Sequence, residues 1–192
     1  MSSPKLRLIA AATVAGGACW IAFAVNTLAT AGQGEGKVTL DGAGDYVGFG
    51  LFAVSLALAV AAIAALHLHQ RETDGRLGRI GAIVAAAGAA AQCIVISGIL
   101  VNGAETSWFG IGAPIAILTW FVGSVLLGVA TYRARVMPTW VGIALPVVTA
   151  FAIVGSEGGT SVLIGAFQIV VGVRIAQAAG ASATLRPAEA HA

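Results

Sequence analysis

Charge is what this sequence most lacks. Only 9% of its 192 residues are charged, against 58% apolar, whereas soluble domains average about a quarter charged. That is too little charge to coat a soluble surface of this size. Cysteine is scarce as well: Cys19 and Cys93 each lie inside an apolar run, with no CxxC or Cys/His framework. A disulfide scaffold and a zinc site are therefore not indicated. There is no run of basic residues, and net charge is only +2, so no nucleic-acid partner is expected. No P-loop, catalytic triad, haem ligand pair, HExxH motif or intramembrane lysine occurs. The ten-residue alternation of a membrane β-barrel is missing too.

Long apolar runs are what the chain has instead. A bilayer core of roughly 30 Å takes about 20 apolar residues per helix. Segments at about 7–30, 47–68, 80–102, 111–132, 139–155 and 161–178 meet or approach that length. Polar breaks separate them: "GQGEGKVTLDGAGDY", "HQRETDGRLGR", "VNGAETSWFG", "YRARVMPT" and "SEGGT". The expected fold is all-α, a polytopic membrane protein with six transmembrane helices in one bundle over 1–178 and a disordered cytoplasmic tail at 179–192. A signal peptide is the alternative at the N-terminus, with "ATA" at 29–31 resembling a cleavage site. The apolar run from Leu8 to Val25 is, however, longer than the 7–15 residues of a secretory apolar region. Retention as the first helix is expected.

Orientation follows from the basic residues. Lys5, Arg7, Arg71, Arg76, Arg79, Arg133, Arg135, Arg174 and Arg186 fall on one side, and only Lys37 on the other. Cytoplasmic loops accumulate Lys and Arg, which places both termini in the cytoplasm and the protein in the inner (plasma) membrane. Glu35, Asp41, Asp45, Glu105 and Glu157 then face outward.

Two sets of residues are candidates for chemistry. Counted along the helices at about 1.5 Å per residue, Cys19, Trp20, Ser55, Gln92, Cys93, Thr119, Trp120, Thr149 and Gln168 fall near the bilayer middle. Polar groups there bond across helices or floor a cavity; the amides of Gln92 and Gln168 have the most hydrogen-bonding capacity to satisfy. One level outward, Asn26, Asp45, Tyr46, Asn102, Glu105, Trp108, Ser156 and Glu157 share a rim. Tyr46 and Trp108 fit an interfacial aromatic belt, and Asp45 fits a helix start. Glu105 and Glu157 follow helix C-termini, where the dipole disfavours an anion. Either one is a solvated turn acid or a functional acid held protonated. His67 and His69, at i and i+2, diverge by about 200° and cannot share a metal ion on one helix face. In the third helix Gly81, Ala85, Gly88 and Ala89 form a small-residue stripe that permits close helix approach, which predicts a central place for that helix. "RIGAIV" and "WVGIAL" open the third and fifth helices as a faint internal echo.

At "DGRLGRIGAIV" and "RARVMPTWVGIALP" the chain resembles a broad group of small actinobacterial multi-span membrane proteins. The shared features are an Arg/Gly-rich cytoplasmic turn and an arginine, proline and tryptophan leading into the fifth helix, here Arg135, Pro138 and Trp140. That likeness covers most of helices two to five and implies fold and location only. As a short helix bundle without a nucleotide motif, the chain is also similar to integral-membrane terpene cyclases. Such enzymes protonate an isoprenoid alkene or epoxide with a carboxylic acid flanked by aromatic rings. The likeness implies Asp45, Glu105 and Glu157 as acids, with Trp20, Phe23, Trp108 and Phe109 around the cation.

Two functions follow as expectations, neither needing a cofactor or metal. The leading one is an accessory or transport protein that binds a lipophilic or cationic small molecule from the outer rim, through Trp20, Phe23, Asn26, Asn102, Trp108, Gln92 and Gln168. The other is an acid-catalysed cyclase or isomerase. The expected partners are the lipid bilayer and that small molecule, with further copies of the chain (a homo-oligomer) left open.

Overall fold

The computed structural model describes residues 3–30, 39–154 and 159–189. Six helices follow one another: α1 (Ser3–Thr30), α2 (Ala43–Gln70), α3 (Gly75–Asn102), α4 (Phe109–Ala134), α5 (Thr139–Val154) and α6 (Ser161–Glu189). Among the described residues, the one trace of β pairing is an isolated antiparallel bridge between Thr39 and Ala104. Five helices, all but α5, are long and apolar enough to cross a membrane. That is the build of a multi-pass membrane protein. α5 has 16 residues and a length of about 24 Å, short of the roughly 30 Å of a bilayer core.

Several helices outrun the apolar segments, because their polar ends are well terminated. α2 starts at Ala43 rather than near residue 47. Its Asp45 carboxylate accepts the N–H groups of Asp41 and Gly42, each at 3.1 Å, and so pins the entering chain beside the positive end of the dipole. α3 ends on Gly103 in the left-handed conformation (φ 68°), whose N–H closes onto the Ile99 carbonyl at 2.8 Å. A Cβ is disfavoured in that conformation. α6 is helical as far as Glu189, past residue 178, where the disordered tail was expected to begin. Its continuation "AQAAGASA" is mostly alanine, the best helix former, with Gly180 and Ser182 as its weak points, so an established helix propagates through it.

Neighbouring helices run antiparallel in a closed ring from α1 to α6 and back to α1. α2 touches the most helices, packing on α1, α3, α4 and α6. The small-residue stripe predicted a central α3, and this is a correction. α3 packs chiefly on α4 and α2, and it turns Ile80, Ile83, Ile94 and Val101 outward. A small-residue stripe marks one close neighbour; it does not count neighbours.

Glycine fixes three helix crossings. A Cβ on Gly88 would lie 2.2 Å from the backbone nitrogen of Trp120, and one on Gly123 would lie 2.1 Å from that of Ala85, so α3 and α4 touch backbone to backbone. α1 crosses α6 where Gly17 and Gly165 face each other, each Cβ position within 2.6 Å of the other's carbonyl oxygen. α4 meets α5 at Gly128 and Gly142 in the same reciprocal way. Pro146 explains part of the last contact. It has no N–H to offer the Gly142 carbonyl one turn back, and that oxygen turns against Gly128, 2.5 Å from where its Cβ would be. The Cα–H there is a weak donor. α5 thus passes through Pro146 unbroken, and the lost hydrogen bond becomes a helix contact.

Candidate functional site

The rim predicted from the sequence separates into two corners. At the α1–α2 corner, Asn26 donates from Nδ2 to the Gly44 carbonyl at 3.2 Å. Its amide fills the space over Gly48, where a Cβ would come within 2.5 Å. Asp45 beside it is engaged in the helix-entry bonds described above. At the α3–α4 corner, Asn102 is exposed and donates to its own helix at the Gly98 carbonyl, 2.7 Å away. Trp108 is 42% exposed; its ring lies across Gly98 on α3 and Gly112 on α4, a packing that suits an interfacial residue. Phe109 packs partly buried against the core. Glu105 is partly buried. The corners are joined by the Leu40 N–H donating to the Gly103 carbonyl at 2.8 Å. Ser156 and Glu157 lie outside the described residues.

Inside the bundle the aromatic residues converge. Trp20 is fully buried. It meets Phe52 edge-on at 5.4 Å between centroids, Phe23 edge-on at 6.2 Å, and Trp120 stacked at 6.2 Å. Phe23 stacks on Phe52 at 4.7 Å. Trp20 and Phe23 therefore belong to a packed core cluster, separate from Trp108. Phe52 went unnoticed in the sequence, as a phenylalanine among many apolar residues gives no signal of its partner. The Trp20 indole N–H is buried without an acceptor.

Next to this cluster a partly open cavity of about 30 Å³ lies between five helices, room for one or two water molecules. Its wall takes Thr13 from α1, Ala59, Ala62, Ile63 and Leu66 from α2, Trp120 and Leu127 from α4, Leu145 and Thr149 from α5, and Ile164, Phe167, Gln168 and Val171 from α6. Thr13 donates to the Ile9 carbonyl at 2.9 Å and Thr149 to the Leu145 carbonyl at 2.8 Å; Thr149 also lies 3.3 Å from the Ser124 hydroxyl. Both threonine protons thus go to their own helices. Gln168 is 6% exposed, and its Oε1 is buried without a donor. That amide reaches over α1 at Gly16, where a Cβ would lie 3.0 Å from Oε1. Of the residues the sequence singled out, the cavity gathers Gln168, Trp120 and Thr149. Gln92 is buried with an unpartnered Oε1 of its own, on α3, a helix that contributes nothing to the cavity wall.

A third polar group lies at the arginine-rich end. The Asp74 side chain is fully buried, and its Oδ2 is 2.7 Å from His67 Nδ1. Gly78 makes the room: a Cβ there would lie 2.3 Å from the Asp74 carboxyl carbon. Gln70, also buried, donates to the Thr131 hydroxyl on α4 at 2.8 Å. In the sequence Asp74 falls within the polar break "HQRETDGRLGR" between the second and third helices. The missed signal was the seven-residue spacing of His67 and Asp74 followed by a glycine. Among the described residues no three His, Cys, Asp or Glu side chains are grouped to hold a metal ion.

Comparison with protein-family models, with curated proteins and with solved structures finds no match to this chain.

Proposed function

We propose that this chain is a multi-pass plasma-membrane protein, arginine-rich end in the cytoplasm, that binds a neutral lipophilic small molecule in the cavity between α1, α2, α4, α5 and α6. One observation leads to this reading: a cavity walled almost wholly by apolar side chains, with a single unsatisfied amide, Gln168, among them. Small-molecule sites have that composition, with an apolar wall for affinity and a few polar groups for orientation. The site belongs inside the bundle rather than on the outer rim. Asp45 is engaged in the start of α2, and Asn102 bonds to its own helix.

The wall also weighs on the nature of the ligand. Among the described residues it contains no acid, so they offer nothing to pair with a cation, and burying an unpaired charge is expensive. The cyclase alternative needs a carboxylic acid close to the bound alkene, and the same wall offers none. An access route is suggested by the α5–α6 contact, the sparsest of any sequential pair among the described residues. Leu145 and Thr149 on one side of that seam, and Ile164 and Gln168 on the other, are themselves cavity residues. A ligand dissolved in the bilayer would enter sideways by parting α5 from α6.

Bromine quenching of tryptophan fluorescence in lipid nanodiscs tests the proposal. Trp120 lines the cavity, so a dibrominated decane derivative should quench it saturably. Ala62→Leu, which fills the wall, should abolish the saturable component. Quenching that rises linearly with the amount in the lipid, and is the same in the variant, would overturn the reading.

A further inference from the structure

At the end of the bundle opposite the arginines, α5 and α6 stop short of their neighbours. α5 starts level with the end of α4: a Cβ on Gly142 would lie 2.7 Å from the Tyr132 nitrogen and 2.6 Å from the Gly128 carbonyl oxygen. Two turns further along, Thr149 lies 3.3 Å from the Ser124 hydroxyl. Counted on from these contacts, Val154 ends α5 roughly 10–15 Å short of Phe109, where α4 begins. α6 agrees. Gly165 faces Gly17 on α1, which puts Ser161 roughly 10 Å below Thr30, the end of α1. The Thr160 hydroxyl donates to the Phe151 carbonyl at 2.8 Å and ties the two helix ends together at that depth. Burial follows the same course. The stripe of α4 that faces α5 is buried at Gly128 and Ser124, half-buried at Phe121 and Ile117, and exposed at Pro114 and Gly110. A Cβ on Gly110 would meet nothing within 4 Å.

α4 has 26 residues, about 39 Å, and so overhangs a bilayer core of roughly 30 Å by about 5 Å at each end. In a flat bilayer the tip of the hairpin would then lie roughly 5–10 Å inside the hydrocarbon. A helix turn exposed to lipid is not tolerated there, because the last carbonyls of α5 and the first N–H groups of α6 need water. α5, at about 24 Å, matches a membrane thinner by that amount. We propose that the α5–α6 hairpin thins the bilayer beside it: phospholipid headgroups and water of that leaflet descend roughly 5–10 Å to meet its tip. The partner is the phospholipid bilayer, with shorter acyl chains preferred at this face. This rests on the multi-pass build and not on the ligand. Its consequence for the ligand is a short path to water, since the cavity residues Thr149 and Ile164 lie about one turn below the tip.

Spin-label depth, read from collisions with oxygen and with a nickel chelate, tests the proposal in a Cys19→Ala, Cys93→Ala background. Phe151→Cys on α5 and Ala87→Cys on α3 place the label at exposed positions. The two stand at about the same height, because Gly88 abuts Trp120 on α4 and Phe151 follows Thr149 by about half a turn. In dioleoyl phosphatidylcholine vesicles the label at 151 should lie roughly 5–10 Å shallower than the label at 87. That difference should shrink in dimyristoleoyl and grow in dierucoyl phosphatidylcholine, as only the unperturbed bilayer changes thickness. Leu163→Cys on α6, 47% exposed, should behave like Phe151→Cys and replaces it if that variant does not fold. Equal depths at 151 and 87 in dioleoyl lipid overturn the proposal. A difference independent of chain length overturns it too, because a tilted protein would give that result. If the label at 151 collides with neither reagent, a second copy of the chain covers the hairpin and the proposal fails.

Discussion

A single methyl group added at Gly88 should measure how much the α3–α4 seam contributes. In Gly88→Ala the new Cβ would sit 2.2 Å from the Trp120 nitrogen and 2.5 Å from its Cα. Ordinary contact begins at 3.4 Å, so the two helices must part by roughly 1 Å at this crossing. The obstructing atoms are backbone, and no rotamer change relieves them. A gap of that size forfeits a quarter to a half of each dispersion contact along the seam. Overpacking typically costs about 1–3 kcal/mol, and a clash with backbone belongs at the upper end. Gly50→Ala in α2 is the matched control. Nothing lies within 4 Å of its Cβ position, and replacing glycine by alanine inside a helix gains up to about 1 kcal/mol. The same chemical change should therefore have opposite signs at the two positions, with a difference of about 3 kcal/mol. Unfolding free energies in bilayer-like micelles, measured by steric trapping, would read this directly. Stabilities of the two variants within about 0.5 kcal/mol of each other would refute the backbone-to-backbone contact.

The His67–Asp74 pair should act as a staple for the α2–α3 turn. His67→Ala, Asp74→Asn and the double variant should give a coupling energy of about 1 kcal/mol in a double-mutant cycle, the ordinary worth of a buried hydrogen bond; additive effects would show that the two side chains are neighbours without energetic consequence. Orientation is tested by cysteine accessibility in a Cys19→Ala, Cys93→Ala background. Ser107→Cys and Glu72→Cys both sit at exposed positions, and an impermeant reagent applied to intact cells should label the first and spare the second; the reverse pattern would invert the topology.

The all-helical build and the boundaries of most helices were legible in the sequence, since both depend on local properties. An apolar run long enough to cross a bilayer must satisfy its backbone hydrogen bonds internally, and a helix does so within one segment. The Asp45 cap is likewise local, and its residue type announces it. Which residues share a site was not legible, because that depends on how helices are rotated against one another. Gln168 and Gln92 looked alike in sequence, each an amide at mid-membrane depth. Only packing set Gln168 over Gly16 in a cavity and left Gln92 on α3, away from it. Asp74 read as a loop acid until the turn folded it onto His67 and the missing side chain of Gly78 let it sink. That α2 would have the most neighbours was equally hidden, because a stripe of small residues encodes how near a neighbour comes and carries no information about how many there are. Sequence, then, determined the elements and their polarity through the solvent each must face. Tertiary structure alone decided the site, because the free energy that places Gln168 is shared among side chains from five helices and is written in none of them singly.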